Sequence, residues 1–171
     1  MQMQSMVPVV ETDRLRLRGW TLKDFEPFAA FRQDGDDQAY KDGAATRFQA
    51  WLEFAAKAGE WGLYGAGAFI VADKATDTAV GYAGLWRAPY IAEPELCWSL
   101  FPGHRGRGYA TEAALTARDW AYRELGLKPL MSFVHPENLP SRAVAERIGA
   151  VIEGEGELRG EPRLIYRHLK P

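Results

Sequence analysis

The sequence predicts an α/β fold of the α+β kind, one mixed sheet with helices on both faces, and three observations carry that expectation. Short runs with apolar residues at a period of two and longer runs at the helical period follow one another in the order β-α-α-β-β-β-α-β-α-β-β. A strand, helix, strand unit spans Leu96 to Val134, a crossover that makes its two strands parallel, while the tight turns around it join antiparallel hairpins. The third is scale: 171 residues, 47% hydrophobic and 26% charged, are enough for one domain with a core and too few for two. That domain is expected over residues 11–171, with 1–10 as an N-terminal extension.

Arg14 to Trp20, "RLRLRGW", alternates, so Leu15 and Leu17 share one face of a half-buried strand. Thr21 can cap the run behind it, where Leu22, Phe25, Phe28, Ala29 and Phe31 recur at helical spacing as far as Arg32. The acidic, glycine-broken "QDGDDQAYKDG" reads as a loop. Thr46 to Ala58 restores the helical period with Phe48, Trp51, Leu52 and Ala55, and Gly59 is the expected stop. "GAFIVAD" and "AVGYAGLW", joined by "KATDT", read as a hairpin, and "PELCWSLF" as the next strand. Ala110, Ala113, Ala114, Ala117, Trp120, Ala121 and Leu125 mark one face of a helix closed by Gly126. "LMSFV" is a short strand. "NLPSRAVAERIG" is a helix with Asn138 as cap, Pro140 tolerated in its first turn and Gly149 at its end. A terminal hairpin is expected over Val151 to Leu158 and Pro162 to Leu169.

Composition excludes several roles. A net charge of −2 gives no general grip on nucleic acid or an anionic membrane, so any basic function is local. Cys97 is the sole cysteine, which rules out an internal disulfide and a thiolate zinc site; no metal is expected, and a reducing cytosol suits the chain. "MQMQSMVPVV" lacks the pattern of a signal peptide, and no apolar run approaches the ~18 residues of a membrane span. The expected location is cytoplasmic.

One stretch is unusual for a soluble domain: "HRGRGYATEA", His104 to Ala113, crowds Arg105, Gly106, Arg107 and Gly108 between a strand and a helix. Bare backbone lets N–H groups approach a ligand, and a helix start adds unpaired amides and a positive dipole end. The combination suits an anion, with Arg105 and Arg107 at the rim and Thr111 offering a hydroxyl in the first turn. No lysine follows as a Walker loop requires, and Thr111 stands where a Rossmann fingerprint has its third glycine. What remains is Arg105-x-x-Gly108-x-Ala110.

That pattern resembles the acetyl-CoA pyrophosphate loop of the GNAT N-acetyltransferases, whose fold has the element order inferred above. "ETDRLRLRGW", "GYATEA" and "VHPENLPSRAVAERIGA" resemble the branch that includes the RimJ and RimL ribosomal-protein acetyltransferases, from Glu11 to Leu169. The resemblance implies acetyl-CoA as cosubstrate and a primary amine as acceptor, a protein N-terminus or a small molecule, reached by direct attack in a ternary complex. It places Ser99, Leu100 and Phe101 along the pantetheine arm and the amides of Arg105, Gly106, Arg107, Gly108, Tyr109 and Ala110 around the pyrophosphate, with Thr111 beside them. It makes Glu95 the base, acting through water, Ser141 the acid for the leaving thiolate, and Asn138 a ligand of pantetheine or the carbonyl.

The residues leave rivals open. His135 competes as base because an imidazole titrates near neutrality, while His104 and His168 have no partner visible in the sequence. Cys97 reads as core or pocket lining. Asn138 and Ser141 also fit plain capping. Asp34, Asp36, Asp37 and Asp42, with Glu153, Glu155, Glu157 and Glu161, border the acceptor side in the resemblance and would favour a cationic acceptor; their ordinary reading is solvated loop charge. Trp51, Trp61, Tyr64, Trp86 and Tyr90 are candidates for the pocket wall or the core. Two other functions fit: a non-catalytic acyl-CoA-binding regulatory module, and, less well, a nucleic-acid binder using "HRGRGY" with Tyr109 stacked on bases. No nucleic-acid or membrane partner is expected, and a homodimer paired through the terminal strands is compatible with the chain.

Overall fold

A computed structural model describes residues 7–35, 38–40, 43–127 and 129–169. Eight strands form one sheet in the order β1-β2-β3-β4-β5-β6-β8-β7. They are β1 Val10–Glu11, β2 Leu15–Arg18, β3 Ala68–Asp73, β4 Ala79–Trp86, β5 Glu95–Leu100, β6 Met131–Val134, β7 Ala150–Leu158 and β8 Glu161–His168. Every neighbouring pair is antiparallel except β5 with β6, the two strands joined by the crossover helix. The added strand β1 begins at Val10, so the sheet starts one residue before the boundary expected at residue 11.

The helices are α1 Phe25–Gln33, α2 Arg47–Tyr64, α3 Tyr109–Leu125 and α4 Leu139–Arg147. Side-chain alternation on the strands divides the core between the two faces. Tyr82 of β4 meets Phe28 and Phe31 of α1, whereas Phe69 of β3 packs edge-on against Trp120 of α3, ring centroids 5.1 Å apart. Arg18, buried at the end of β2, makes a two-pronged ion pair with Asp24 at 2.8 and 2.9 Å. The Asp24 carboxylate also accepts the N–H and hydroxyl of Thr21, which fixes the short 3-10 turn at Leu22–Asp24 ahead of α1.

Two boundaries differ from expectation. The helix expected to end at Gly59 runs to Tyr64 and is capped by Gly65 in the left-handed region, φ 65°. Gly59 lies inside the helix because the apolar stripe continues through Phe54 and Trp61, and packing outweighs its weak propensity. The last helix ends at Arg147 with Ile148 as its cap, and Gly149 follows at φ 83°. Among the described residues no helix is long and apolar enough to cross a membrane.

Candidate active site

The site begins where the sheet comes apart. β5 and β6 share one register pair, Glu95 with Met131. Beyond it, side chains span the gap in place of the ladder: the Ser132 hydroxyl donates to the Leu96 carbonyl at 2.5 Å, and the Glu95 carboxylate accepts the Phe133 N–H at 3.2 Å. His168 holds Ser132 from behind, its Nε2 2.8 Å from the hydroxyl. Since that hydroxyl already donates to Leu96, the ring donates through Nε2–H. Burial, with Arg118 and Arg167 nearby, lowers its pKa to about 4 and keeps the ring neutral at neutral pH.

The other edge of β5 is fully paired with β4, in register Tyr82 with Ser99 and Gly84 with Cys97. The Phe101 N–H donates to the Val80 carbonyl at 2.8 Å, which fixes the phase of the ladder. Phe101 and Ser99 therefore turn their backbone groups toward β4, and Trp98 and Leu100 turn theirs into the gap. Of the three residues expected along the cofactor arm, Leu100 offers backbone there, Ser99 contributes its side chain to the pocket face with its hydroxyl on Tyr82, and Phe101 is a buried core ring. This corrects the expectation for Phe101, whose amide is already bonded. Trp98, which sequence reasoning passed over, has the right phase.

The gap opens onto the glycine-rich turn. Gly106 and Gly108 have φ of 75° and 77°, a conformation that side chains disfavour, and a Cβ on Gly106 would meet nothing within 4 Å. Arg105, Gly106, Arg107 and Gly108 are exposed. The first helical bond of α3 runs from the Glu112 N–H to the Gly108 carbonyl, leaving the Tyr109, Ala110 and Thr111 amides at the open end. The turn is braced from below. Arg14 donates to the Arg107 carbonyl at 2.8 Å, pairs with Glu112 at 2.5 Å and covers the Tyr109 ring at 4.9 Å; Thr12 donates to the other Glu112 oxygen. Two sequence signatures, "ETDRLRLRGW" and "GYATEA", thus meet in space. Tyr109 is buried under that guanidinium, so the nucleic-acid reading loses its stacking ring.

A cavity of about 930 Å³ lies between the gap, α2 and the terminal hairpin. Glu95, Cys97 and Ser99 form its floor, and Asn138 and Ser141 reach it from the start of α4. The Asn138 side-chain oxygen accepts the Ser141 N–H at 3.2 Å, the expected cap. His135 also lines the cavity, but its Nδ1 accepts the Glu137 N–H at 3.2 Å and its ring lies against Tyr40. That bond engages the Nδ1 lone pair.

The charged lining differs from expectation. From the terminal hairpin it is Leu158, Arg159 and Arg163 that reach the cavity. Glu153, Glu155 and Glu157 alternate onto the exposed side of β7, and Glu161 is exposed as well. Asp34 is exposed; Asp36, Asp37 and Asp42 lie outside the described residues. From α2 come Glu53, Lys57 and Glu60, and Arg32 and Arg87 complete the set, so among the described lining cations outnumber carboxylates. Of the aromatic candidates, Tyr64, Trp86 and Tyr90 line the cavity, Trp61 is core, and Trp51 packs on Phe25 and Phe54.

Lys57 is buried, its ammonium 4.6 Å from the Tyr82 ring and 4.5 Å from that of Trp86. Burial works against its charge, but the negative potential of Tyr82, Cys97, Glu53 and Glu60 outweighs burial and holds its pKa above the ordinary value. The sequence carries a signal for it: Ala50, Phe54, Lys57 and Trp61 form one helical stripe, and a lysine in an apolar stripe is out of place.

Residues 14–151 match the family model described as the acetyltransferase (GNAT) domain. The chain belongs to the GNAT acetyltransferases. A GNAT relative of known structure, the acetyltransferase from Agrobacterium tumefaciens str. C58, is 35% identical with a TM-score of 0.88 over 95% of both chains. An uncharacterized N-acetyltransferase of Bacillus subtilis (strain 168), YnaD, is 27% identical over 85% of this chain and 84% of its own. RimL, the ribosomal L7/L12 α-N-protein acetyltransferase solved with coenzyme A, shares the GNAT fold at 13% identity and a TM-score of 0.76, over 94% of this chain and 97% of that one. This GNAT chain is accordingly an acetyltransferase.

Proposed function

We propose that the chain transfers acetyl from acetyl-CoA to a primary amine by direct attack in a ternary complex. The observation that most supports this is the gap between β5 and β6, which opens at one end on the glycine-rich turn and along its side on the cavity. The turn fits a pyrophosphate: three amides at a helix start, two bare glycines and two exposed arginines, Arg105 and Arg107. The backbone of Trp98 and Leu100 would pair with the amides of pantetheine, and the Asn138 amide nitrogen, left over from capping, would reach the same arm.

Acetyl-CoA supplies a thioester carbonyl open to attack by nitrogen. A neutral amine in the cavity would form the C–N bond as the C–S bond breaks. Glu95 would take the amine proton through a water, Ser141 would protonate the departing sulfur, and solvent would restore the Ser141 proton. Glu95 suits this role because its carboxylate is oriented by Phe133 at the point where the strands part.

Calorimetric titration of acetyl-CoA into the protein and into the double variant Arg105→Ala, Arg107→Ala tests the reading. Micromolar binding weakened at least tenfold in the variant is expected. Absence of binding to the unaltered protein would contradict it.

A further inference from the structure

The lining of the cavity bears on the acceptor. Faces of its aromatic rings are already covered by the protein's own cations: Lys57 over Tyr82 and Trp86, Arg87 over Tyr64 and Arg159 over Tyr90. Aromatic surface that would otherwise draw an ammonium ligand is taken. Positive charge is turned toward the cavity instead.

Three of the lining cations, Lys57, Arg87 and Arg163, lack a carboxylate ion pair of their own among the described residues. Lys57 is 6% exposed and has three N–H donors. The nearby acids are engaged elsewhere, Glu53 by Arg32 at 2.5 Å and Glu60 by the Arg87 N–H at 2.7 Å. Arg163 is 8% exposed and donates to two backbone carbonyls, those of Pro162 and Tyr40. The field of the nearby acids keeps Lys57 charged, but its N–H donors have no hydrogen-bond acceptor among the described residues, and Lys57 and Arg163 both line the cavity. A ligand anion would complete Lys57. Glu60 adds a further opening, since its Oε2 is buried with no donor among the described residues and can accept an N–H from the same ligand.

Resting on the acetyltransferase reading above, we propose that the acceptor is a small amine that also carries a carboxylate, and that Lys57 binds that carboxylate while the amine faces Glu95. Polyamines and other purely cationic amines would be poor acceptors. In this binding role Lys57 selects the substrate and takes no part in proton transfer.

The test uses the full chain and matched probes: the twenty standard amino acids, their α-amides, and spermidine. Each is assayed for coenzyme A release from acetyl-CoA and titrated calorimetrically into protein saturated with coenzyme A, where no turnover intervenes. At least one amino acid is expected to bind and to be acetylated, with kcat/KM at least tenfold above its amide, as loss of a charge-assisted hydrogen bond implies. Lys57→Met, which keeps the side-chain stem, should bring that ratio near one with acetyl-CoA affinity unchanged. Equal use of acid and amide by the unaltered protein would overturn the proposal whether or not the variant folds. So would a panel in which no amino acid binds or reacts while acetyl-CoA still binds. Failure of acetyl-CoA itself to bind is a separate result, which removes the acetyltransferase reading and this one with it.

Discussion

In the proposed reaction Glu95 joins structure and chemistry in one side chain. Its carboxylate accepts the Phe133 N–H across the gap and lines the cavity where an amine would stand. Glutamine can keep that acceptor and cannot take a proton. Glu95→Gln should therefore lower kcat about 10²–10⁴-fold, the usual worth of a general base, and leave acetyl-CoA affinity within about twofold. Steady-state kinetics beside calorimetry separates the two, and undiminished turnover would move the base elsewhere. Glu95, Asn138, Ser141 and the loop glycines were legible because motif spacing carries residue type at a fixed place. Lys57 went unread, although a charge at an apolar stripe position is a signal that could have marked it. Arg163 was not legible, since which side of β8 faces the cavity depends on a hairpin register with a bulge between Ile152 and Gly154.

At the scale of elements, the loop is set by its brace. Arg14 ties the turn to α3 through the Arg107 carbonyl and Glu112. Arg14→Ala should raise the KM for acetyl-CoA about tenfold with kcat at saturation little changed, and Arg14→Lys should rescue it poorly because an ammonium cannot reproduce the forked pairing. A fall in kcat alone would instead place Arg14 in the chemistry. The turn before α1 rests on a buried pair in the same way. Asp24→Ala removes the two-pronged partner of Arg18 and leaves it only the Asp77 carboxylate at 3.0 Å, and should destabilise the fold by about 1.5–3 kcal/mol in chemical denaturation. Strand and helix order could be read from periodicity, but the end of α2 could not. A glycine resembles a stop unless the apolar stripe beyond it is known to pack, and here Trp61 meets Phe69 and Trp120.

At the scale of the molecule, a buried polar chain from His168 through Ser132 to Leu96 bridges the strands where they part. The His168 pKa is lowered from 6.5 to about 4, chiefly by burial. The unfolded chain then binds a proton that the folded chain refuses between those values. Stability is full above pH 6.5 and falls as pH drops toward 4, by about 3 kcal/mol in all. Denaturation curves at pH 7, 5.5 and 4.5 should show this loss in the parent and a shallower one in His168→Gln, whose amide can still donate to Ser132; equal slopes would refute it. The parallel β5–β6 pair was expected from the crossover, while its early end was not, because a single strand sequence does not show where a neighbour departs. In the proposed function that departure is the cofactor cleft. Backbone hydrogen exchange with and without acetyl-CoA tests it most directly. Exchange should slow at Trp98 and Leu100 and at Tyr109, Ala110 and Thr111, with Phe101, already bonded to Val80, unchanged as the internal control. Acetyl-CoA that binds and leaves the Trp98, Leu100 and α3 amides unprotected would contradict the account.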